Sequence, residues 1–251
     1  MGIYDRNRLY VSAEEQGLMK HASILLAGAD LGSNVAECAL RFGFENMTIV
    51  DGSRVDETDL NRQNFVRSDV GKYKAETLCK RLLKINPGAN ISFRNERISR
   101  ENVAETVRGH RIAVNTLPYD SDLPFLFDRL CSERGIPVLH PWNFGWAGFL
   151  TVVKPGGYQL TEISEGYQGF ELKLAAFVAC YCTFWNIGHE WIADVVRRCQ
   201  QEQDSSSLPQ LSIAAWIAAG QCVTAMYNIT TNKKLLYFPK FYLSTIVGEK
   251  Q

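Results

Sequence analysis

Residues 23–42 read SILLAGADLGSNVAECALRF, and the order of the parts decides the fold. Ser23–Ala27 is a short apolar run, the pattern of a strand buried in a parallel sheet. Residues 28–33, GADLGS, form a turn. Residues 34–42 place Val35, Ala36, Ala39, Leu40 and Phe42 at helical spacing, and Gly43 supplies the stop. Strand, glycine turn and helix together set backbone N–H groups and a helix N-terminus against a phosphate. Only Gly28 and Gly32 are present, so the spacing is not GxGxxG. Asp30 sits inside the turn, where its charge opposes a bound anion. The competing reading of both glycines is a tight turn that closes helix onto strand.

Outward from this unit, residues 47–50 read as a second strand ending at Asp51. An acid about twenty residues beyond the glycine turn commonly hydrogen-bonds a ribose hydroxyl; the alternative is a loop cap. A helix over 72–85, strands at 91–93 and 111–114, a helix over 123–134 and a strand at 136–139 continue the alternation. Such alternation implies a parallel sheet with right-handed crossovers. The expected fold is α/β, doubly wound and Rossmann-like, with the ligand at the carboxyl ends of the strands. Beyond residue 140 the character changes. Residues 142–155 are aromatic and β-rich, 171–203 hold one or two helices, 204–209 form a linker and 211–229 a very apolar helix. Residues 235–246 read as a terminal hairpin with Pro239 near its turn. The expectation is one domain over 1–251. Residues 1–140 form its nucleotide-binding half, and 141–251 a β-rich and helical extension sharing the core.

Lys plus Arg number 27 and Asp plus Glu 27, a formal net charge of zero. Such a chain has no global field to attract nucleic acid or an anionic membrane, so neither is expected as a partner. Any bound anion needs a local site, and weak colloidal repulsion favours self-association. Residues 1–10 lack the apolar core of a signal peptide. The apolar stretch 211–227 is short for a membrane span and is broken by Ser212, Gln221 and Thr224. The seven cysteines contain no CxxC, which argues against a disulfide framework or a zinc ribbon and for the cytoplasm. Cys180 and Cys182, the closest pair, read as structural, as do His140 and His189.

Residues 50–63, VDGSRVDETDLNRQ, and 69–76, DVGKYKAE, resemble the ThiF/MoeB/HesA family, relatives of ubiquitin-activating enzymes. That family's pattern is a strand ending in VD, then SNLNRQ, then DVGxxKAE. Residues 4–9, YDRNRL, resemble its YxRQ opening, and Gly135 to Leu139, GIPVL, its strand after the active-site loop. The resemblance implies a Rossmann-like adenylating fold that binds ATP and Mg²⁺. The implied reaction is adenylation of the C-terminal carboxylate of a ubiquitin-like protein or peptide, by a homodimer or heterodimer. It implies that Arg62 and Lys74 contact phosphates and that Gly28 and Gly32 form the phosphate turn. Asp51 would hold the ribose, with Asn61 and Gln63 in the same nucleotide-binding loop. Arg6 would reach a partner subunit's phosphates. Arg suits such a role because its fork is always charged and grips phosphate in two places. Outside the motif, Arg62 and Lys74 would read as ordinary surface charges.

Three departures bear on activity. GADLGS replaces a GxGGxGS pattern, Asp59 stands where the family has Asn, and the family's DxTDN loop becomes residues 115–119, NTLPY. Pro118 then replaces the magnesium-binding Asp, leaving Asp120, with Asp122 beside it, as the candidate metal ligand. Two readings follow: an ATP-dependent adenylyltransferase, or a non-catalytic descendant acting as a binding or scaffold subunit. A nicotinamide-dependent oxidoreductase ranks below both because the GxGxxG is broken. The aromatic loop 142–149 is expected on the ligand side, lining a groove or filling core.

Overall fold

The computed structural model describes residues 2–164, 166–202 and 208–247. One seven-stranded sheet runs through it in the order β3-β2-β1-β4-β5-β6-β7. Its strands are β1 (Ser23–Ala27), β2 (Asn46–Val50), β3 (Asn90–Arg94), β4 (Ile112–Asn115), β5 (Val138–Phe144), β6 (Ala147–Val153) and β7 (Phe241–Ser244). β1 pairs in parallel with β2 on one side and β4 on the other. The chain therefore winds outward through β3, returns beside β1, and leaves a switch point at the carboxyl ends of β1 and β4. β4 and β5 are parallel, whereas β6 and β7 run antiparallel. The α/β doubly wound expectation matches this architecture.

The helices are α1 (Ala13–His21), α2 (Leu31–Phe42), α3 (Lys74–Ile85), α4 (Val103–Thr106), α5 (Leu123–Glu133), α6 (Phe170–Phe184), α7 (Glu190–Gln201) and α8 (Ser212–Thr230). β1 shows why both sheet faces need cover. Ile24 and Leu26 enter a core layer with α2, α3 and α8, and Leu25 and Ala27 enter another with α5, α6 and α7. Each fully buried Leu or Ile contributes about 1.5–3 kcal/mol. α8, from the second half of the chain, packs on α2, β5 and β6. It comes so close that a Cβ at Gly148 would lie 2.5 Å from the Ala218 backbone nitrogen. The Asn143 side chain holds the start of α8, donating to the Leu211 carbonyl (2.7 Å) and accepting from its N–H (3.2 Å).

Several boundaries differ from the sequence expectation. α2 begins at Leu31, because the turn tightens directly into the helix. α1 was not expected as an element; a reciprocal capping box between Ser12 and Glu15 starts it. The aromatic stretch is the β5–β6 hairpin, with Phe144 and Phe149 in the core and Trp146 exposed. It is mostly packing rather than ligand surface. The terminal hairpin does not form. Only β7 is a strand, and it pairs with β6, while the Phe238 N–H bonds Val152 and the Leu236 N–H bonds the Tyr242 hydroxyl. Their donors are spent on other partners, so no ladder closes. Most of the expected linker, 203–207, lies outside the described residues.

Candidate active site

The switch point opens into a cavity of about 570 Å³ at the ends of β1, β2 and β4. Gly28 leaves β1 at φ +97°, and a Cβ there would lie 2.5 Å from Thr116 Oγ1 and 3.0 Å from its carbonyl. Only glycine fits where the exits of β1 and β4 cross. Gly32 lies in the first turn of α2, buried behind the cavity wall. A second depression of similar size lies over α3, lined by Arg54, Lys72, Lys80 and Lys84. It is away from the strand ends.

Asp51 joins two turns. Oδ2 accepts the Ala29 N–H at 2.7 Å, and Oδ1 accepts the Ser53 N–H at 2.7 Å together with the Ser53 hydroxyl. Asp51 thus caps the loop that follows β2. The same carboxylate also lines the cavity, where a remaining lone pair can accept a hydroxyl.

Lys74, the first residue of α3, reaches the cavity from below with its side chain only 6% exposed. Its ammonium pairs with Asp30 and lies 2.9 Å from Asp59 Oδ2. Burial works against this charge, but the Asp30 and Asp59 carboxylates overcome it and hold the lysine pKa above its ordinary value. Asp59 is itself buried and accepts the Gln63 amide (2.7 Å) and the Asp56 N–H (2.9 Å). Gln63 thus orders the loop from below. Asp59, a departure from the family motif, is what fixes Lys74.

Arg62 does not line the cavity. Its guanidinium bonds Gln210 Oε1 (2.8 Å), the Thr58 carbonyl (2.7 Å) and Asn61 Oδ1 (3.0 Å). Asn61 and Arg62 therefore close the loop on itself and tie it to the segment before α8. Arg6 is exposed on the 3-10 turn Asp5–Asn7, outside the cavity wall. Asp120 and Asp122 both line the cavity, and Asp122 pairs with Arg100. Among the described residues no three His, Cys, Asp or Glu side chains converge to hold a metal. A magnesium ion here would lean on Asp120 and on oxygens brought by a nucleotide, the usual division for Mg²⁺.

Of the expected site residues, the structure gathers Gly28, Asp51, Lys74 and Asp120 around one cavity. Gly32, Asn61, Arg62 and Gln63 support it, and Arg6 stands apart. Sequence reasoning missed Arg97, Ser99 and Arg100, which line the side beyond β3. The signal was the run RISR just after that strand, where ligand-facing residues gather. None of the seven cysteines is in a disulfide. Burial pushes the Cys131 and Cys222 thiols up, away from the nucleophilic thiolate. Among the described residues no helix is long and apolar enough to cross a membrane.

Comparison with known proteins adds relatives. The chain is 27% identical over 151 residues to the SAMP-activating enzyme E1 of Haloferax volcanii, covering 59% of this chain and 55% of that protein. It is 34% identical over 165 residues to the tRNA threonylcarbamoyladenosine dehydratase of Escherichia coli, covering 64% and 59%. The match therefore spans little more than half the length of these relatives. Escherichia coli MccB, solved with ATP, superposes with a TM-score of 0.69 at 18% identity, covering 99% of this chain and 72% of that one. At that identity the likeness is one of fold. The sequence model of the ThiF family matches residues 4–246, so nearly the whole chain, cavity included, belongs to the ThiF family.

Proposed function

We propose that this protein uses ATP to adenylate a carboxylate, that of the C-terminus of a ubiquitin-like protein or peptide. The observation that carries the reading is the cavity that brings Gly28, Asp51 and the buried Lys74 to one switch point in a ThiF-family chain. A carboxylate oxygen attacks the α-phosphorus, a new P–O bond forms, and the bond to pyrophosphate breaks. Both reactants are anions, so the protein's task is positioning and charge compensation. Asp51 holds the ribose, Lys74 faces the phosphates, and Arg97 adds positive charge on the β3 side, where Arg100 is already paired with Asp122. Mg²⁺, carried by the nucleotide and held by Asp120, would neutralise phosphate charge. Arg6, exposed and outside its own cavity, serves a second copy's site in a homodimer. The seven cysteines, none in a disulfide, support a reducing, cytoplasmic setting. The shared core layers support one domain over the chain.

A second reading is favoured by one observation. Lys74 is already neutralised by Asp30 and Asp59, as suits a descendant that binds a partner without turning ATP over. Calorimetry with Mg·ATP, followed by ATP–pyrophosphate exchange with candidate carboxyl-terminal peptides, separates the two. ATP binding with peptide-dependent exchange supports the enzyme; ATP binding without exchange for any peptide favours the binding subunit. No ATP binding even at millimolar nucleotide would rule out adenylation.

A further inference from the structure

One wall of the cavity is the segment 116–122, which follows β4 and contributes Thr116, Leu117, Pro118 and Asp120. This is where the chain departs most from its family's pattern, so what holds the wall in place has to be read from its own residues. Asn115, the last residue of β4, stands opposite Ala27, the last residue of β1. It is 4% exposed. Its Oδ1 accepts the Leu117 N–H at 3.1 Å. Its Nδ2 donates to Asp128 Oδ1 at 2.9 Å and to the Pro124 carbonyl at 3.2 Å. Asp128 lies on the inner face of α5 at 2% exposure. Its other oxygen lies 3.0 Å from Nε2 of the fully buried His140 on β5, although the ring N–H is not aligned for a hydrogen bond. The His140 ring stacks on Trp142 (centroids 5.3 Å apart), Trp142 on Tyr119 (6.2 Å), and Tyr119 on Phe170 (4.3 Å). The segment is thus held at its start by the Thr116 N–H and hydroxyl on the Ala27 carbonyl, from below by one hydrogen bond at Leu117, and from the side by an aromatic stack at Tyr119.

We propose that Asp128 is a positioning residue for the nucleotide cavity. Through Asn115 it fixes the Leu117 amide, and so the wall that carries Pro118 and Asp120. The physical reason is the orientation of one amide group. An isolated Asn115 can rotate to present Oδ1 or Nδ2 to the backbone. With a carboxylate buried beneath it, Nδ2 is drawn to Asp128, which leaves Oδ1 for the Leu117 N–H. A polar pair this deep is costly if half satisfied, so the arrangement holds the loop in one register. Asp128 touches no substrate; its action passes through Asn115.

The test compares Asp128→Leu, which fills the site without an acceptor, with Asp128→Asn, which keeps Oδ1 for Asn115. Amide hydrogen exchange is read at Leu117 and across 116–122, with β1 and β2 amides as internal reference. Loss of the anchor should speed exchange at Leu117 about tenfold in Asp128→Leu, while Asp128→Asn stays within about threefold of the parent. Mg·ATP affinity should follow the same order. The affinity arm rests on the nucleotide reading of the cavity, whereas the exchange arm does not. A parent protein that binds no ATP therefore counts against the proposed function and leaves the exchange result to judge Asp128. Parental exchange at Leu117 in Asp128→Leu would reduce Asp128 to a filler and overturn the proposal. Equal acceleration in Asp128→Asn would overturn it too, by placing the effect in the charge rather than the acceptor. Should Asp128→Leu fail to fold, Asn115→Ala leaves Asp128 and His140 together and must give the same acceleration, or the proposal falls.

Discussion

Replacing Asp30 with Asn isolates the charge that stands between Lys74 and a nucleotide. In the resting site the Asp30 carboxylate occupies the Lys74 ammonium from the exposed side, and Asp59 holds it from the buried side. A triphosphate reaching Lys74 has to displace Asp30 and tolerate its charge nearby. Two unit charges about 4 Å apart interact by about 1 kcal/mol in water and about 4 kcal/mol at an effective dielectric of about 20. The Asp30 side chain is 55% exposed, which places it toward the solvated limit. Asp30→Asn should therefore tighten Mg·ATP by about 1.5 kcal/mol, roughly tenfold in Kd. The Asp30 side chain makes no capping hydrogen bond to α2, so Asn there should leave the helix undisturbed. Titration calorimetry with ATP, AMP and adenosine reads the effect. The gain should be largest for ATP, smaller for AMP, near nothing for adenosine, and reduced at high salt. Unchanged or weaker ATP binding, or an equal gain for adenosine, would refute the placement of the phosphates beside Lys74.

Three further outcomes follow from the same geometry. Lys74→Ala leaves Asp59 buried with only the more distant Arg62 (3.8 Å) for a cation and should lower unfolding stability by about 3 kcal/mol; adding Asp59→Asn should recover part of this in urea melts, because the buried charge is gone, while only one of the two donors, Gln63 or the Asp56 N–H, keeps its acceptor. Glu37 is pulled two ways: burial raises its pKa, but Arg81 and Arg41 outweigh it and hold the pKa below the ordinary value of 4.5. A folded pKa below the unfolded one means this stabilisation is complete above about pH 4.5 and lost as pH falls through the depressed value. Urea midpoints should thus fall more steeply below that pH in the parent than in Glu37→Gln, and parallel profiles would exclude the role. Gly148→Ala would drive a methyl into the α8 backbone and should cost about 2 kcal/mol in thermal or urea unfolding; a neutral result would mean that α8 can slide on β6.

The parts legible in the sequence were those whose cause is local. The strand–turn–helix at 23–42 is written in periodicity and in two glycines, and the apolar helix over α8 in its high hydrophobicity. Gly28 and Asp51 were legible because each sits at a fixed offset from a strand end, whereas Lys74 was legible only through the resemblance of DVGKYKAE to the family motif. What escaped depends on meetings in space. Asp30 and Lys74 are 44 residues apart, so the charge that opposes a phosphate could be read, but not the cation that already answers it. Asp59 looked like a loss of a family residue, and only packing shows it buried beneath that lysine. Arg62 looked like a phosphate ligand, but its Nε is held by Gln210, whose approach depends on how the chain returns to α8. The hairpin at 235–246 failed for the same reason: local alternation cannot say that β6 offers Phe241–Ser244 a better partner.

The hold of Asn143 on Leu211, and of Arg62 on Gln210, has a bearing on how such a protein could change over time. β6 ends at Val153 and α8 starts at Ser212, and both ends of the intervening stretch are moored to the frame, one by the sheet and the other by two side chains. The stretch behaves as an inset panel. Its contents, α6 and α7, must present enough apolar surface to roof Phe144 and Phe149, but the frame does not prescribe how many turns do so or what they show to the outside. A lineage could exchange that panel, and with it the outer surface offered to other molecules, provided an aromatic ring stays where Phe170 stacks on Tyr119 and steadies the cavity wall.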